Sequence, residues 1–208
     1  MPEYTPFLSL ISVVIAAYLI GAIPFGLVMA HVFGLGDIRK VGSGNIGATN
    51  VLRTGHKPAA MLTLLLDSGK GLIIIMVIRL LGGDQIMLAA AGVASIFGHC
   101  YPLWLGFRGG KGVATGLGVF LGLDLIAGIL VCLTWLFIAV LFRLSSLSAL
   151  VSYLSAPVLI GITATWRGDE LPLAFIYGAG MMACLATWRH RSNISRILKG
   201  KEPKIGQS

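Results

Sequence analysis

The sequence predicts an all-α polytopic membrane protein, and three observations lead to that fold class. Only 12% of the 208 residues are charged and 56% are hydrophobic, which leaves too little polar surface for a soluble globular domain. Apolar runs close to the ~20 residues that cross a bilayer as a helix recur along the chain. Basic residues cluster between some of these runs and are scarce between others, as expected for a membrane protein oriented by the positive-inside rule.

Five apolar runs are clear candidates for transmembrane helices. The first, 7–30, is longer than the core of a signal peptide and follows no basic leader, so we expect a retained first helix. The next two are 58–81 and 86–105, and the last two are 147–163 and 171–188. Each of them approaches the ~20 residues that cross the hydrocarbon core.

The run 112–142 requires a choice, because it can form one helix of about 46 Å or two short helices broken at Gly122-Leu123-Asp124. With the break, the chain crosses the membrane seven times, its N-terminus is outside, its C-terminus is cytoplasmic, and nearly every basic loop residue is cytoplasmic. One unbroken helix would place the basic residues of either the first loop or the tail outside. We therefore predict seven spans, with a short or discontinuous helix after Lys111.

A small polar segment, 42–53, follows the first span. Its glycines let the backbone turn sharply and approach a ligand, while its hydroxyl, amide and backbone N–H groups suit phosphate oxygens. We therefore predict an anion-binding loop beside the membrane. The residues that carry this prediction are Gly42, Ser43, Gly44, Asn45, Gly47, Thr49, Asn50 and Arg53.

A second glycine-rich segment, 107–112, precedes the short helix. Its Gly109-Gly110-Lys111 would place a lysine and the positive end of a helix dipole at the cytoplasmic side, where they suit an anionic substrate. The alternative is that the Gly-Gly pair only forms a tight turn between two helices. The segment by itself leaves both interpretations open.

Ionisable residues inside the second span need their own explanation. Asp67 and Lys70 lie three residues apart, hence on one helix face, and ionisable groups at membrane depth usually face protein or water. A structural ion pair between helices is favoured over a direct catalytic role. His99, near the cytoplasmic end of the third span, is placed to hydrogen-bond a loop.

The basic tail, 189–208, begins on the same predicted side of the membrane as both glycine-rich segments. His190 near its start is either an interfacial residue or a functional imidazole, and the nearby polar segments support the second role. The segment Ser145-Ser146-Leu147-Ser148 begins the sixth helix, where N-capping explains one or two of its serines and leaves a third, such as Ser148, available to a ligand.

Several familiar chemistries are absent from the sequence. It contains no paired-histidine metal spacing, no Walker-type phosphate loop, no GxSxG turn and no histidine followed five residues later by aspartate. The three cysteines are far apart, so neither a disulfide framework nor a metal is indicated. A transporter for phosphorylated solutes and a lipid-binding scaffold are the alternatives from other classes. The sequence lacks the internal repeat that is common in such transporters, and a scaffold role leaves both glycine-rich segments unexplained.

Three motifs together carry a resemblance to a known family. The chain contains, in order, Gly-Ser-Gly-Asn-Ile-Gly-Ala-Thr-Asn with Arg53, then Phe-Arg-Gly-Gly-Lys-Gly-Val-Ala-Thr ending at Thr115, then His-Arg-Ser-Asn-Ile-Ser-Arg-Ile-Leu-Lys-Gly-Lys-Glu starting at His190. They resemble the motifs of the bacterial acyl-phosphate:glycerol-3-phosphate acyltransferases, the PlsY family. Further positions similar to that family are Asp67, Lys70 and His99.

The resemblance implies transfer of a fatty acyl group from acyl phosphate to the sn-1 hydroxyl of glycerol 3-phosphate, giving lysophosphatidic acid and inorganic phosphate. This would be the first step of phospholipid synthesis, catalysed by a multi-pass protein of the bacterial inner membrane with a cytoplasmic active site. Coenzyme A, acyl carrier protein, nucleic acid and cofactors are not expected as partners. A single domain, 1–208, would include the tail 189–208, and a monomer is expected.

Acyl phosphate is already activated, so the resemblance implies direct attack without a covalent acyl-enzyme. The base is either His190 or a substrate phosphate. The residues expected to hold acyl phosphate are Gly42, Ser43, Gly44, Asn45, Gly47, Thr49 and Asn50. Those expected to hold glycerol 3-phosphate are Arg53, Lys111, Ser148, His190 and Asn193, with Ser148, His190 and Asn193 also expected to be catalytic. Supporting roles are expected for Asp67, Lys70, His99, Gly109, Gly110 and Thr115.

Overall fold

The computed structural model describes residues 5–206, with side chains from Ser9 onward, and this part of the chain contains helices, turns and loops but no strand. The first four residues, and with them the predicted external N-terminus, lie outside the described residues, as do the last two. The predicted all-α fold class is thus confirmed. In chain order the α-helices are α1 (Thr5–Gly21), α2 (Phe25–Val32), α3 (Ala48–Leu52), α4 (Lys57–Leu80), α5 (Gln85–Cys100), α6 (Val113–Leu123), α7 (Leu125–Phe142), α8 (Ser145–Arg167), α9 (Leu173–Arg189) and α10 (Arg191–Leu198).

The first predicted helix is interrupted between α1 and α2, at Pro24. Proline has no N–H to donate and disfavours helical backbone in the residue before it, so the helix does not continue through it. The prediction of one unbroken helix over 7–30 is therefore wrong, and the break lies inside a single apolar segment, Ser9–Val32. At the break, the carbonyl oxygen of Ile23 accepts hydrogen bonds from the Phe25 N–H at 3.1 Å and from the Lys70 ammonium at 2.7 Å.

The predicted break in the run 112–142 is confirmed. α6 ends and α7 begins at Asp124, whose carboxylate accepts a hydrogen bond from the Ala127 N–H at 2.9 Å and so caps α7. Arg167 pairs with the same carboxylate at 2.7 Å and fastens this turn to the end of α8. With 11 residues, α6 is much shorter than the ~30 Å hydrocarbon core of a bilayer.

α6 lies at the centre of the bundle and packs against α4, α5, α7 and α9. Glycines permit the closest of these contacts. A Cβ on Gly118 would lie 1.9 Å from the Ser68 carbonyl oxygen, and a Cβ on Gly71 would lie 2.2 Å from the Thr115 carbonyl oxygen. α4 and α6 therefore meet backbone to backbone, which is typical of helices packed inside membranes.

Large apolar side chains cover the outer faces of the helices, among them Leu80 (82% exposed) and Val140 (72% exposed), as expected of surfaces in contact with lipid. α6, with 11 residues, and α9, with 17, are not among the described segments that qualify as spans by length and composition, so the count of seven spans and the orientation of the termini stay predictions. The segments long and apolar enough to cross a membrane are Ser9–Val32, Lys57–Leu80, Gln85–Leu105, Leu125–Phe142 and Ser145–Arg167.

Candidate active site

The polar segments of the sequence meet around one cavity of about 1160 Å³ at one end of the bundle. Residues 42–53 form one wall, the starts of α4, α6 and α8 form others, and α10 with residues 202–206 covers the remaining side. The predicted site residues that line this cavity are Gly42, Ser43, Asn45, Gly47, Thr49, Asn50, Arg53, Asp67, His99, Lys111, His190 and Asn193.

Asn50 holds the segment 42–53, the predicted anion-binding loop, in shape. It is only 1% exposed, its amide donates a hydrogen bond to the Ile38 carbonyl at 2.8 Å, and its amide oxygen accepts one from the Ser43 backbone N–H at 3.1 Å. Gly42 and Gly44 have φ values of +54° and +68°, which favour glycine. Asn50 therefore uses both ends of its side chain to hold the loop, inside it at Ser43 and outside it at Ile38, and leaves ligand contacts to its neighbours.

Arg53 stands next to the loop as a cation with unused donors. A Cβ on Gly42 would lie 2.9 Å from Nη1 of Arg53, so glycine leaves the space that the guanidinium occupies. Among residues 5–206 the guanidinium donates no hydrogen bond and forms no ion pair. Guanidinium groups bind phosphate oxygens through paired N–H donors, and Arg53 retains all of its donors for such a ligand.

Lys111 enters the cavity from the start of α6, and its ammonium donates a hydrogen bond to the side-chain oxygen of Asn193 at 2.7 Å. Burial lowers the pKa of Lys111 to about 8; Glu202 opposes this effect and nearby arginines, including Arg53, add to it. An ammonium has three donors and Asn193 uses one of them. Lys111 is thus a partly buried cation that can still bind an anion.

Glu202 organises the tail side of the cavity, a role that we did not predict from the sequence. Its carboxylate accepts hydrogen bonds from Ser146 (2.7 Å), the Asn193 amide (2.6 Å) and Arg196 (2.7 Å). Burial alone would raise the pKa of Glu202, but these three hydrogen bonds outweigh it and hold the pKa below its ordinary value. The available sequence signal was that Glu202 is the one acidic residue in 189–208.

His190 lies at the junction of α9 and α10 and is only 2% exposed. Its Nδ1 lies 2.7 Å from the Ala186 carbonyl oxygen, so Nδ1 carries the proton and donates it. Burial, followed by the positive charge of Lys111, lowers the pKa of His190 to about 4. The imidazole is therefore neutral at physiological pH, with Nε2 available as a hydrogen-bond acceptor.

Deeper in the bundle, four buried polar residues form a closed network. The Lys70 ammonium donates hydrogen bonds to Asp67 and to the Ile23 carbonyl, both at 2.7 Å. His99 Nδ1 lies 3.0 Å from that ammonium and 3.3 Å from the Thr115 hydroxyl. This geometry favours the structural ion pair over a catalytic one. Among residues 5–206, no three His, Cys, Asp or Glu side chains converge as ligands of a metal.

The Gly-Gly pair forms a packed turn over this network. A Cβ on Gly110 would lie 2.1 Å from His99 Nε2, so only glycine fits there. The carbonyl oxygens of Gly109 and Gly110 accept hydrogen bonds from Arg189 at 2.9 Å and 3.0 Å. The pair therefore makes the tight turn that was one of the two alternatives, and it delivers the Lys111 side chain to the cavity.

Ser148 neither caps α8 nor lines the cavity. It is fully buried and its hydroxyl donates a hydrogen bond to the Leu144 carbonyl at 2.9 Å. The N-cap of α8 is Leu144, without a side-chain hydrogen bond, so the serine N-cap was a wrong prediction. The predicted site residues that do not line the cavity are Gly44, Lys70, Gly109, Gly110, Thr115 and Ser148. Polar residues that line it without having been predicted are Lys57, Ser145, Ser146, Ser192, Arg196, Glu202 and Lys204.

Comparison with known proteins identifies relatives along the whole chain. The sequence model of the family described as glycerol-3-phosphate acyltransferase matches residues 11–200. A glycerol-3-phosphate acyltransferase of Jannaschia sp. is 54% identical over 92% of this chain and 91% of its own length. Another, of Paramagnetospirillum magneticum, is 46% identical over 96% of this chain and 95% of its own.

Two crystal structures of PlsY, an integral membrane glycerol 3-phosphate acyltransferase, share the fold over 95% of this chain and 96% of theirs. The glycerol 3-phosphate form has a TM-score of 0.85 at 39% identity. The lysophosphatidic acid form has a TM-score of 0.81 at 37% identity. Sequence and fold thus agree with the three motifs, and the chain belongs to the glycerol-3-phosphate acyltransferase family of integral membrane enzymes.

Proposed function

We propose that this enzyme takes its acyl group from acyl phosphate and transfers it by direct attack of the sn-1 hydroxyl of glycerol 3-phosphate. The observation that carries the proposal is one cavity that joins an anion-binding loop and two available cations to an apolar cleft between helices. Such a cavity suits two phosphorylated substrates of which one has a fatty acyl chain. The glycerol 3-phosphate and lysophosphatidic acid forms of PlsY support the same acceptor and product here.

The acyl-phosphate head group is proposed to lie against residues 42–50. Backbone N–H groups and the side chains of Asn45 and Thr49 would donate hydrogen bonds to it, and so would the Ser43 hydroxyl once it turns from the Asn50 amide oxygen, to which it donates at 3.3 Å. The loop is held in advance by Asn50, and the Thr49 hydroxyl lies 3.2 Å from that of Ser145. Donors positioned before the reaction stabilise charge that develops in the transition state without reorganising at that moment.

The phosphate of glycerol 3-phosphate is proposed to bind between Arg53 and Lys111. Two phosphorylated substrates repel each other, so their approach requires compensating cations. Asn193 accepts a hydrogen bond from Lys111 and donates one to Glu202, which holds the lysine in place while leaving two of its donors for phosphate.

His190 is proposed to orient the sn-1 hydroxyl, which would donate a hydrogen bond to Nε2. With its pKa at about 4, the imidazole is a weaker base than a phosphate oxygen, whose second pKa is about 6. The hydroxyl oxygen forms the ester bond to the acyl carbon, the bond from that carbon to the phosphate oxygen breaks, and the hydroxyl proton leaves on the phosphate. Ser148 would support this wall of the cavity, with Ser145 and Ser146 nearer to the glycerol.

We further infer a single-domain monomer of the bacterial inner membrane, with seven spans, an external N-terminus and a cytoplasmic active site. The packing of α10 against α8 and α9 supports one domain that includes the tail. The basic residues Arg39, Lys57 and Arg108 near the cavity end of the bundle support the orientation. Thiol labelling of a cysteine introduced into the tail, from each side of sealed vesicles, tests it.

The donor assignment is tested with purified enzyme, palmitoyl phosphate and glycerol 3-phosphate, without coenzyme A or carrier protein. Phosphate release equal to lysophosphatidic acid formation is expected. Matched reactions with palmitoyl-coenzyme A or palmitoyl carrier protein are expected to give no product. Product from either thioester, but none from palmitoyl phosphate, would overturn the proposed donor while leaving the family assignment intact.

A further inference from the structure

The cavity continues below its polar end into an apolar cleft between α4, α6 and α7. α4 and α7 both pack against α6 but barely touch each other, so one face of α6 stays uncovered as the back wall of the cleft. The side chains that line the cleft are Met61, Leu64, Val113, Leu117, Cys132 and Trp135.

The cleft closes at its far end because glycines let the helices converge there. A Cβ on Gly118 would lie 1.9 Å from the Ser68 carbonyl oxygen, which brings α4 against α6. A Cβ on Gly128 would lie 2.5 Å from the α6 backbone, which brings α7 against α6. Cys132 stands one helical turn from Gly128 and is the α7 lining residue furthest from the polar end. At 1.5 Å per residue it lies about 15 Å below Phe142, roughly one leaflet of the hydrocarbon core.

We propose that Cys132 and Trp135, at the closed end of this cleft, determine the length of acyl chain that the enzyme accepts. The inference rests on the proposed function, because the head group must lie against residues 42–50 for the chain to enter the cleft. Met61 and Leu64 are 60% and 42% exposed, so the α4 side is open to lipid and admits a chain sideways from the bilayer. Cys132 and Trp135 are only partly exposed and form the end that a chain terminus meets.

Trp135 acts in this cleft through its volume. Its indole N–H is buried and has no hydrogen-bond partner among the described residues. Replacing Trp135 with phenylalanine therefore removes volume without breaking a hydrogen bond. Replacing Cys132 with phenylalanine adds volume at the closed end. The two substitutions change the length of the cleft in opposite directions.

The experiment compares kcat/KM for lauroyl, myristoyl, palmitoyl and stearoyl phosphate. Cys132→Phe is expected to lower the stearoyl and palmitoyl values relative to lauroyl by at least about tenfold, the effect of mismatched methylenes in an apolar pocket. Trp135→Phe is expected to raise the stearoyl value relative to palmitoyl. Leu136→Phe is the matched control, because Leu136 is 52% exposed and lies outside the cleft lining. Its chain-length profile should equal that of the wild type, and the KM for glycerol 3-phosphate should not change in any variant.

A second measurement needs neither turnover nor a folded Cys132→Phe variant. In a Cys184→Ala enzyme, N-ethylmaleimide can reach the partly exposed Cys132, whereas Cys100 is fully buried. Without glycerol 3-phosphate, palmitoyl phosphate is expected to slow labelling of Cys132 more than lauroyl phosphate does.

Unchanged chain-length profiles together with unprotected labelling, in an enzyme that does make product from acyl phosphate, would overturn the inference about the cleft. An enzyme that makes no product from acyl phosphate of any length contradicts the proposed donor instead, and the inference falls with it.

Discussion

The cavity and the buried network beside it both hold charged residues away from bulk water, but their charges are paired differently. In the network, the Lys70 ammonium contacts Asp67, His99 and a backbone carbonyl, so protein groups occupy its donors. In the cavity, Lys111 has one protein partner, and Arg53 has none among residues 5–206.

The comparison distinguishes charged residues that stabilise the fold from charged residues that are available to bind a ligand. A cation withdrawn from water is costly unless another group compensates it. In the network, protein groups supply that compensation, so the Lys70 charge needs no ligand. In the cavity Glu202 already accepts hydrogen bonds from Ser146, Asn193 and Arg196, so we expect an incoming phosphate to supply the compensation that Arg53 and Lys111 lack.

The largest expected effect comes from breaking the network. Asp67→Ala would leave the buried Lys70 ammonium without its carboxylate, which typically costs about 3–5 kcal/mol of folding free energy. Thermal unfolding in detergent measures it. Asp169→Ala is the control, because Asp169 is exposed, pairs with Arg167 at the surface and should cost no more than about 1 kcal/mol. Equal melting temperatures for the two variants would contradict a structural role for the network.

The next largest effect is expected at the cavity and should spare the fold. Lys111→Ala removes a charged hydrogen bond to phosphate, which is worth about 1.5–3 kcal/mol of binding free energy. kcat/KM for glycerol 3-phosphate should therefore fall roughly 10- to 150-fold. The melting temperature should change little. Lys201→Ala, in the exposed part of the tail, is the control and should match the wild type. Unaltered activity at subsaturating glycerol 3-phosphate would remove Lys111 from the substrate site.

A smaller effect follows from the pKa of Lys111. Because that pKa is lowered to about 8, the ammonium is charged below pH 8 and loses its proton above it. kcat/KM for glycerol 3-phosphate should therefore fall as the pH rises through about 8, approaching tenfold per pH unit. In Lys111→Arg, whose guanidinium stays charged, any remaining activity should not show this fall. The same alkaline fall in both proteins would assign it to another group.

The smallest expected effect concerns His190. With a pKa of about 4 it is neutral well below pH 7, so kcat/KM should show no titration at the ordinary histidine value of about 6.5. His190→Gln, whose amide oxygen still accepts a hydrogen bond, should keep part of the activity and the same pH profile. An inflection in the wild type that vanishes in His190→Gln would instead indicate a histidine base. One present in both belongs to the substrate phosphate.

Much of the fold could be predicted because its signals are local. The apolar runs and the break at Asp124 followed from hydropathy and charge placement. Hydropathy stays high on both sides of Pro24 and so does not reveal the break there, whereas the proline itself is a local signal for it. The role of Asn50 could not be predicted, because its partner Ile38, 12 positions away, is brought to it only when the chain folds.

The sequence by itself determined the membrane class, the family and the polar segments of the site, because hydropathy and motifs are properties of neighbouring residues. Only the tertiary structure decided which cations stay available and which are neutralised. Lys111 meets Asn193 across 82 positions of sequence, and Lys70 meets Ile23 across 47. Whether a charged side chain is available to a ligand or is paired within the protein depends on which groups lie beside it. Those neighbours are set only once the helices are packed.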